Sequence, residues 1–424
     1  MVDVKLSLMV LSAVITLAYF SDTLFNRTKI PDIIWLLAMG VLIGPIGHLV
    51  DVSYLVALSP LFSAITIIAI LFDSGINMNI QKLFREVPQG AVLAITGFLI
   101  SASAAAIPAL LYLKLQPIEA ILLGCIVGGT NSSIVLAKRK KGIVPREKVG
   151  TLLDIEDILT DPLTLIVPIV ILQSIKSGKG FDFSFAASSI LANFSTSLII
   201  GIIAGVIWSL YQKNIRETRG YFGITMSSIF LLFSVTEYLG GNGALSCFIF
   251  GLVIGNSQQI AKGLGVTTNV AGVEEETRKF SSMITFFSRA FFFVLLGATV
   301  TMGNPFLFLL GVGISLFIFM FRRLIISFTI KKGEFTDAER ELMAFTIPRG
   351  LGAAIMAPLP AIQYGLAHLS MFTEVIFSVI ISTMVLTSIG MSRFSSSSSQ
   401  QRAAEPKKPI DHNPLFPHEW IQEV

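Results

Sequence analysis

Long apolar runs recur along almost the whole chain and limit its possible folds more than any other feature. Thirteen of them are long enough to cross a bilayer as helices, and short charged loops separate them. With 53% hydrophobic and 14% charged residues in a chain of 424, this pattern predicts an all-α polytopic membrane protein. The predicted spans are 5–22, 31–47, 54–75, 88–113, 118–137, 149–173, 184–211, 221–239, 241–256, 283–301, 305–329, 338–362 and 371–391.

The basic residues predict how these spans are oriented, because Lys and Arg gather in cytoplasmic loops. Of the 27 Lys and Arg residues outside the spans and their edges, 23 lie in loops after odd-numbered spans or in the C-terminal tail. We therefore expect a multi-pass protein of the cell (plasma) membrane with its N-terminus outside and its C-terminus in the cytoplasm. Residues 1–391 form the predicted membrane domain, and the Ser-rich segment 392–424 is expected to be a flexible cytoplasmic tail.

Span six carries four carboxylates in the stretch "LLDIEDILTDPLTLIVPIVIL". A charge at the centre of a membrane helix costs about 2.5–3.5 kcal/mol, whereas each Leu, Ile or Val returns only about 0.3–0.6 kcal/mol. Four central acids therefore cost on the order of 10–14 kcal/mol, which exceeds the roughly 4–8 kcal/mol available from the apolar residues of the span. The span must line a cavity or meet buried partners.

Helical geometry separates these four acids. At about 100° per residue, Asp154, Asp157 and Asp161 share one face, while Glu156 lies on another. Pro162 cannot donate a backbone hydrogen bond, so we expect a local irregularity and a free carbonyl beside Asp161. A free carbonyl next to a carboxylate is a candidate cation ligand.

A second candidate for cation binding is the run Gly128-Gly129-Thr130-Asn131 in span five. Its glycines favour either close packing between helices or a backbone that leaves helical geometry. In the second case the hydroxyl, the amide oxygen and the freed carbonyls make a hard-oxygen shell suited to an alkali cation. We favour this second interpretation.

Eight motifs in order carry a resemblance to a known family over roughly residues 5–391. They are "IPDIIWLLAMGVLIGP", "AILFDSGINMN", "GGTNSSIVLA", "EDILTDP", "GNGALSCFIFGLVIGN", "FFFVLLGATV", "FRRLIISF" and "PRGLGAAI". Together they resemble the cation/proton antiporter superfamily, specifically its thirteen-span microbial sodium/proton antiporters. The resemblance implies inverted repeats whose interrupted spans five and twelve cross, a homodimer, and a transporter without catalytic chemistry or cofactor.

The resemblance also implies an ion-binding and proton-binding site on spans five and six. Asp161 matches the essential carboxylate, and Thr130 and Asp157 match further ligands of the transported metal cation. Asn131 stands where the family has an acid, and Thr160 stands where it has Asn or Asp. One carboxylate has in effect moved from span five to span six, so ion preference and stoichiometry do not transfer from relatives.

Further charged residues receive roles from the resemblance or from their positions. The resemblance implies a buried structural ion pair between Glu156 and Arg323, with Arg322 as the alternative. Asp73, near the inner end of span three, is either a cation-access residue or part of a solvated helix end. Arg349 in span twelve is expected to balance charge in the break, with snorkelling to water as the alternative.

The resemblance implies exchange of Na⁺ for protons by alternating access, with Li⁺ or K⁺ also open. The expected partners are the cation, the proton, the lipid bilayer and a second copy of the chain, and no nucleic acid. A sodium-coupled organic-anion transporter of similar inverted-repeat fold is the alternative. An intramembrane hydrolase is disfavoured, because the Asp73 motif lacks the second matched carboxylate that an aspartic dyad needs.

Overall fold

The computed structural model describes residues 4–28, 30–48, 52–78, 88–131, 147–176, 183–215, 221–263, 275–301, 303–330 and 333–404. A π-helical turn spans Leu42–Ile46, and a 3-10 turn spans Ala367–Ser370. The described helices are α1 (Val4–Thr28), α2 (Asp32–Val41), α3 (Val52–Asn77), α4 (Pro88–Tyr112), α5 (Pro117–Gly128), α6 (Glu147–Lys176), α7 (Phe183–Ile215), α8 (Tyr221–Tyr238), α9 (Gly243–Gly255), α10 (Ser257–Gly263), α11 (Glu275–Thr299), α12 (Pro305–Thr329), α13 (Asp337–Phe345), α14 (Leu351–Met356), α15 (Leu359–Ile362) and α16 (Met371–Ala404).

The all-helical fold predicted from the apolar runs is confirmed. Within the described ranges, 6 helices are long and apolar enough to cross a membrane, and shorter apolar helices account for the remaining predicted spans. Length and composition alone do not establish that each short helix crosses the bilayer, so the number of crossings stays a prediction.

Local sequence signals set where several of these helices begin. Thr336 and Glu339 form a reciprocal capping box at the start of α13, and Gln116 and Glu119 do the same at the start of α5. Asn304 accepts a hydrogen bond from the backbone N–H of Phe306 ahead of α12. These caps satisfy backbone donors that the first helical turn leaves free.

Two short helices each pack closely against a longer helix of the opposite half of the chain. Helix α2 packs on α11, and α9 packs on α3. A Cβ atom on Gly40 would lie 2.4 Å from the Val294 carbonyl oxygen, and one on Gly75 would lie 2.3 Å from the Phe248 carbonyl oxygen. Only glycine permits backbones to approach this closely.

These pairings agree with an inverted repeat in which each span corresponds to the span seven places later. Under that correspondence, the contact of span two with span ten matches the contact of span nine with span three. In the first half, α4, α5 and α6 pack together, and in the second half α12, α13 and α16 do so. Spans five and twelve therefore occupy equivalent places in the two halves.

Both equivalent spans are interrupted. Helix α5 ends at Gly128, and Gly129 is extended, with ψ at 154°. Helix α13 ends at Phe345, non-helical backbone follows, and helix resumes at Leu351. The backbone N–H of Asn131 donates a 2.9 Å hydrogen bond to the carbonyl of Pro348, so the two non-helical segments meet. The part of the predicted fifth span beyond residue 131 lies outside the described residues.

The C-terminal helix differs from the sequence prediction. We expected the last span to end at residue 391, but the helix that contains it, α16, continues to Ala404. Its additional turns contain Ser, Gln, Arg and Ala, all of which an α-helix tolerates, and no proline occurs before Pro406. Residues 405–424 of the predicted tail lie outside the described residues. The division into a membrane domain and a flexible tail from residue 392 stays a prediction.

Candidate functional site

The acidic span is one continuous helix. Helix α6 runs from Glu147 to Lys176 and contains Pro162 and Pro168 within it. The predicted irregularity at Pro162 therefore does not interrupt the helix. Asp161 lies half-buried near the middle of α6.

Three threonines line the contact between α6 and the break of span five. The hydroxyl of buried Thr160 accepts a 3.3 Å hydrogen bond from the backbone N–H of Thr130, and the two hydroxyl oxygens are 3.4 Å apart. Thr164 donates to the Thr160 carbonyl at 2.9 Å. A Cβ atom on Gly129 would lie 2.0 Å from the Thr164 hydroxyl oxygen, so glycine is required there. The residue beside Asp161 is thus bonded directly to the break.

Arg349 occupies the carbonyl end of α5. Its fully buried guanidinium donates to the carbonyls of Gly128 and Gly129 and, at 3.1 Å, to the hydroxyl of Ser101. A cation at a helix C-terminus is favourable because the last carbonyls carry partial negative charge. We expected these freed carbonyls to be cation ligands, but in the structure they accept hydrogen bonds from Arg349. The alternative that Arg349 snorkels to water is wrong, because the side chain is fully buried.

Asn131 fixes the crossing of the two interrupted spans through its backbone and its side chain. Its backbone N–H bonds to Pro348, as described above, and its side-chain amide lies against Gly350. A Cβ atom on Gly350 would be 2.8 Å from the amide nitrogen of Asn131. The structure therefore places Asn131 at the contact between the two breaks.

The structure contains the expected buried ion pair, but with the alternative arginine. Arg322 binds both carboxylate oxygens of Glu156, at 2.5 and 2.6 Å, and its Nε donates to the carbonyl of Met343 at 3.3 Å. Both side chains are buried. Arg323 is exposed, so its assignment to the pair is wrong. Consecutive residues on a helix point about 100° apart, so only one of the two arginines faces α6.

The remaining predicted acids lie on two helices that pack against each other, α3 and α6. Asp157 is half-buried one turn before Asp161, and its Oδ1 is shielded from solvent. Asp73 is half-buried near the C-terminal end of α3. Their roles in ion binding stay predictions. Arg289 of α11 bonds Asp32 of α2 at 3.4 Å.

Several small residues contribute to this region and were not predicted from the sequence. Ser101 holds Arg349, Thr164 packs on Gly129, and Gly97 gives space to the ion pair, since a Cβ atom there would lie 3.1 Å from Arg322 Nη1. Each lies in an apolar span. The sequence signal that could have indicated these contacts is the spacing of small polar or Gly residues, three or four positions apart, in such a span.

Interrupted helices that cross beside a carboxylate are typical of secondary transporters. The family model described as "Sodium/hydrogen exchanger, transmembrane" matches residues 10–394. The chain belongs to this family, and it is a multi-pass membrane protein of a transporter family and not an enzyme.

Curated relatives are similar over part of their length. The K(+)/H(+) antiporter NhaP2 of Shewanella oneidensis is 27% identical over 239 residues, covering 54% of this chain and 40% of that protein. Sodium/hydrogen exchanger 8 of Arabidopsis thaliana is 26% identical over 250 residues, covering 54% of this chain and 32% of that protein. The match thus spans less than half the length of these relatives.

Two solved structures share the fold. The sodium proton antiporter MjNhaP1 from Methanocaldococcus jannaschii at pH 8 superposes with a TM-score of 0.75 and 18% identity, covering 91% of this chain and 100% of that chain. An electron microscopy map of the same antiporter gives a TM-score of 0.67 and 20% identity, covering 96% and 100%. At these identities the similarity shows the fold alone.

Proposed function

We propose that this protein exchanges a monovalent alkali cation for protons across the cell membrane by alternating access. The observation that carries the proposal is the position of Asp161. It lies half-buried near the middle of a membrane helix, next to Thr160, which is bonded to the crossing of the two interrupted spans. An ionisable residue within the membrane is a functional candidate by default.

The exchange follows from competition for one carboxylate. An ionised Asp161 attracts a cation, and the hydroxyls of Thr130 and Thr160, which are 3.4 Å apart, are proposed to contribute to its shell. A proton neutralises the same carboxylate, so proton and cation displace each other. If the site changes its access from one side of the membrane to the other only when a cation or a proton neutralises Asp161, the cation moves in one direction and protons move in the other. No covalent step is needed.

Arg349 has a positioning role in this mechanism. Because its charge is held on the carbonyls of Gly128 and Gly129, it stabilises the end of α5 without a bound cation. The second acid, Asp157, shares the helix face of Asp161 and is proposed as a further ligand or proton carrier. Asp73 is proposed to lie on the cation's access route.

The cation remains part of the proposal. Na⁺ is the first expectation, and the names of the matched relatives make K⁺ an equal candidate for testing. We also propose the plasma membrane as the location, a cytoplasmic C-terminus and a homodimer. The sodium-coupled organic-anion alternative finds no support in the family assignment.

The test is proton flux in proteoliposomes that hold purified full-length protein and a pH-sensitive dye. Adding Na⁺, K⁺ or Li⁺ at clamped voltage should collapse an imposed pH gradient, with the preferred cation acting at the lowest concentration. Asp161→Asn keeps the shape of the side chain but cannot ionise, so it should abolish the collapse while its thermal unfolding stays that of a folded protein. Cation-dependent flux through folded Asp161→Asn protein would overturn the mechanism.

A further inference from the structure

A cavity that the transport mechanism does not use lies between α12 and α13. Its volume is about 270 Å³, and its lining includes Phe319, Arg323 and Ser327 of α12 and Arg340 and Phe345 of α13. By the predicted topology this end of α12 lies at the cytoplasmic surface of the membrane. The cavity therefore opens where the headgroups of the inner leaflet lie.

The two arginines of this cavity present hydrogen-bond donors. Arg340 Nη2 donates weakly, at 3.5 Å, to the carbonyl of Ser327, and its Nε is shielded from solvent without a hydrogen-bond partner in the described part of the chain. Arg323 is exposed and lines the same cavity. A shielded guanidinium N–H favours occupation by an acceptor, because an unmet buried donor costs free energy.

Two carboxylates also face the cavity, and neither removes the need for an acceptor. Glu341 bonds Arg393 at 3.4 Å, and the Arg393 guanidinium lies over the ring of Phe345 at 5.6 Å. Asp337 is exposed in the first turn of α13, where a negative charge complements the helix N-terminus. Two guanidinium groups and two carboxylates thus line the cavity, and one of these carboxylates, Glu341, is paired with Arg393 outside the lining.

Beside the cavity, α12 exposes an apolar surface suited to acyl chains. Its exposed side chains include Leu316, Phe317, Met320, Leu324 and Phe328, the last of them 87% exposed. A ligand with a phosphate group at the cavity and hydrocarbon along this surface would satisfy both features. Guanidinium groups bind phosphate through paired, charge-assisted hydrogen bonds.

We propose that this cavity binds the phosphate headgroup of an anionic phospholipid from the inner leaflet, with its acyl chains along α12. The bound phosphate bridges Arg323 and Arg340 and so fastens α12 to α13. Arg322, the neighbour of Arg323, joins the same two helices through the carbonyl of Met343, and it also binds Glu156 of α6. The lipid therefore stabilises the first half of interrupted span twelve.

The test measures lipid binding by purified full-length protein and is independent of ion transport. Thermal unfolding in a zwitterionic detergent is followed while short-chain phosphatidylglycerol, phosphatidylcholine or inorganic phosphate is added, and native mass spectrometry counts retained lipids. We expect phosphatidylglycerol to raise the melting temperature in a concentration-dependent way and to be retained. Phosphatidylcholine and inorganic phosphate should leave the melting temperature unchanged.

Arg323→Gln and Arg340→Gln should each weaken phosphatidylglycerol binding by roughly tenfold or more, since each removes a charged pair of donors. Arg27→Gln is the matched control, because Arg27 is exposed in the last turn of α1, away from the cavity and on the same predicted side. It should bind as the wild type does. Arg323 is exposed, so its variant tests the proposal even if Arg340→Gln does not fold.

Three results would overturn the proposal. One is an unchanged phosphatidylglycerol response in Arg323→Gln. A second is equal stabilisation by inorganic phosphate, which would assign the cavity to a free anion. The third is an equal response to phosphatidylcholine, which would show that the apolar surface alone holds lipid.

Discussion

At the scale of single residues, the structure distinguishes two adjacent arginines by burial. Arg322 is 3% exposed and binds Glu156 bidentately, whereas Arg323 is exposed at the surface of the same helix. Removing one member of a buried ion pair leaves the other charge without compensation, typically at a cost of about 3–5 kcal/mol. An exposed charge away from such a pair changes stability by only about 0.5 kcal/mol.

This contrast gives a prediction with its own matched control. Glu156→Gln and Arg322→Gln should each lower the melting temperature of detergent-purified protein by several degrees. Arg323→Gln, measured in lipid-free zwitterionic detergent, should melt close to the wild type. Equal melting of Arg322→Gln and Arg323→Gln would contradict the assignment of the pair.

The choice between these arginines was not available from the sequence, for a physical reason. In a soluble helix, polar residues mark the outer face, but lipid is as apolar as the protein core. Apolar residues therefore cover both faces of α12, and the hydrophobic pattern leaves its rotation open. The rotation depends on packing against α4 and α16, which only the folded chain shows.

At the scale of elements, the crossing of spans five and twelve depends on very close backbone contacts. Asn131 bonds Pro348, Arg349 holds the carbonyls of Gly128 and Gly129, and Gly350 has no space for a side chain. The sequence indicated the interruption of span five through its Gly residues, and the resemblance implied both interruptions. The sequence did not indicate that Arg349 would donate hydrogen bonds to the carbonyls of Gly128 and Gly129, because this contact joins residues more than two hundred positions apart.

A pair of glycine substitutions tests the crossing. Gly350→Ala would place a methyl group 2.8 Å from the Asn131 amide, so it should destabilise the protein by about 1–3 kcal/mol and reduce cation-dependent proton flux. Gly313→Ala in α12 meets nothing within 4 Å, and alanine is the better helix former, so stability should be unchanged or higher by up to about 1 kcal/mol. Thermal unfolding and flux in proteoliposomes measure both effects. Full flux in Gly350→Ala protein would show that the contact is dispensable.

At the scale of the whole molecule, apolar runs and their order predicted the all-helical fold, and the two halves pack as an inverted repeat requires. The prediction was weakest at ends and boundaries. The last span was predicted to end at residue 391, yet α16 reaches Ala404, because a helix ends where capping or proline ends it and not where hydrophobicity ends. Composition reports the membrane boundary of a span and not the end of its helix.

The orientation of the molecule in the membrane is predicted from the 23 basic residues in loops after odd-numbered spans and in the C-terminal tail, which place these segments in the cytoplasm. The native Cys125 and Cys247 are buried, so cysteines introduced into loops can be labelled over a low background. Gly303→Cys, in the exposed turn before α12, should react with a membrane-impermeant maleimide on intact cells. Gln258→Cys, exposed in α10 after span nine, should react only after permeabilisation. Labelling of both positions on intact cells would contradict the predicted topology, and with it the assignment of the arginine cavity to the inner leaflet.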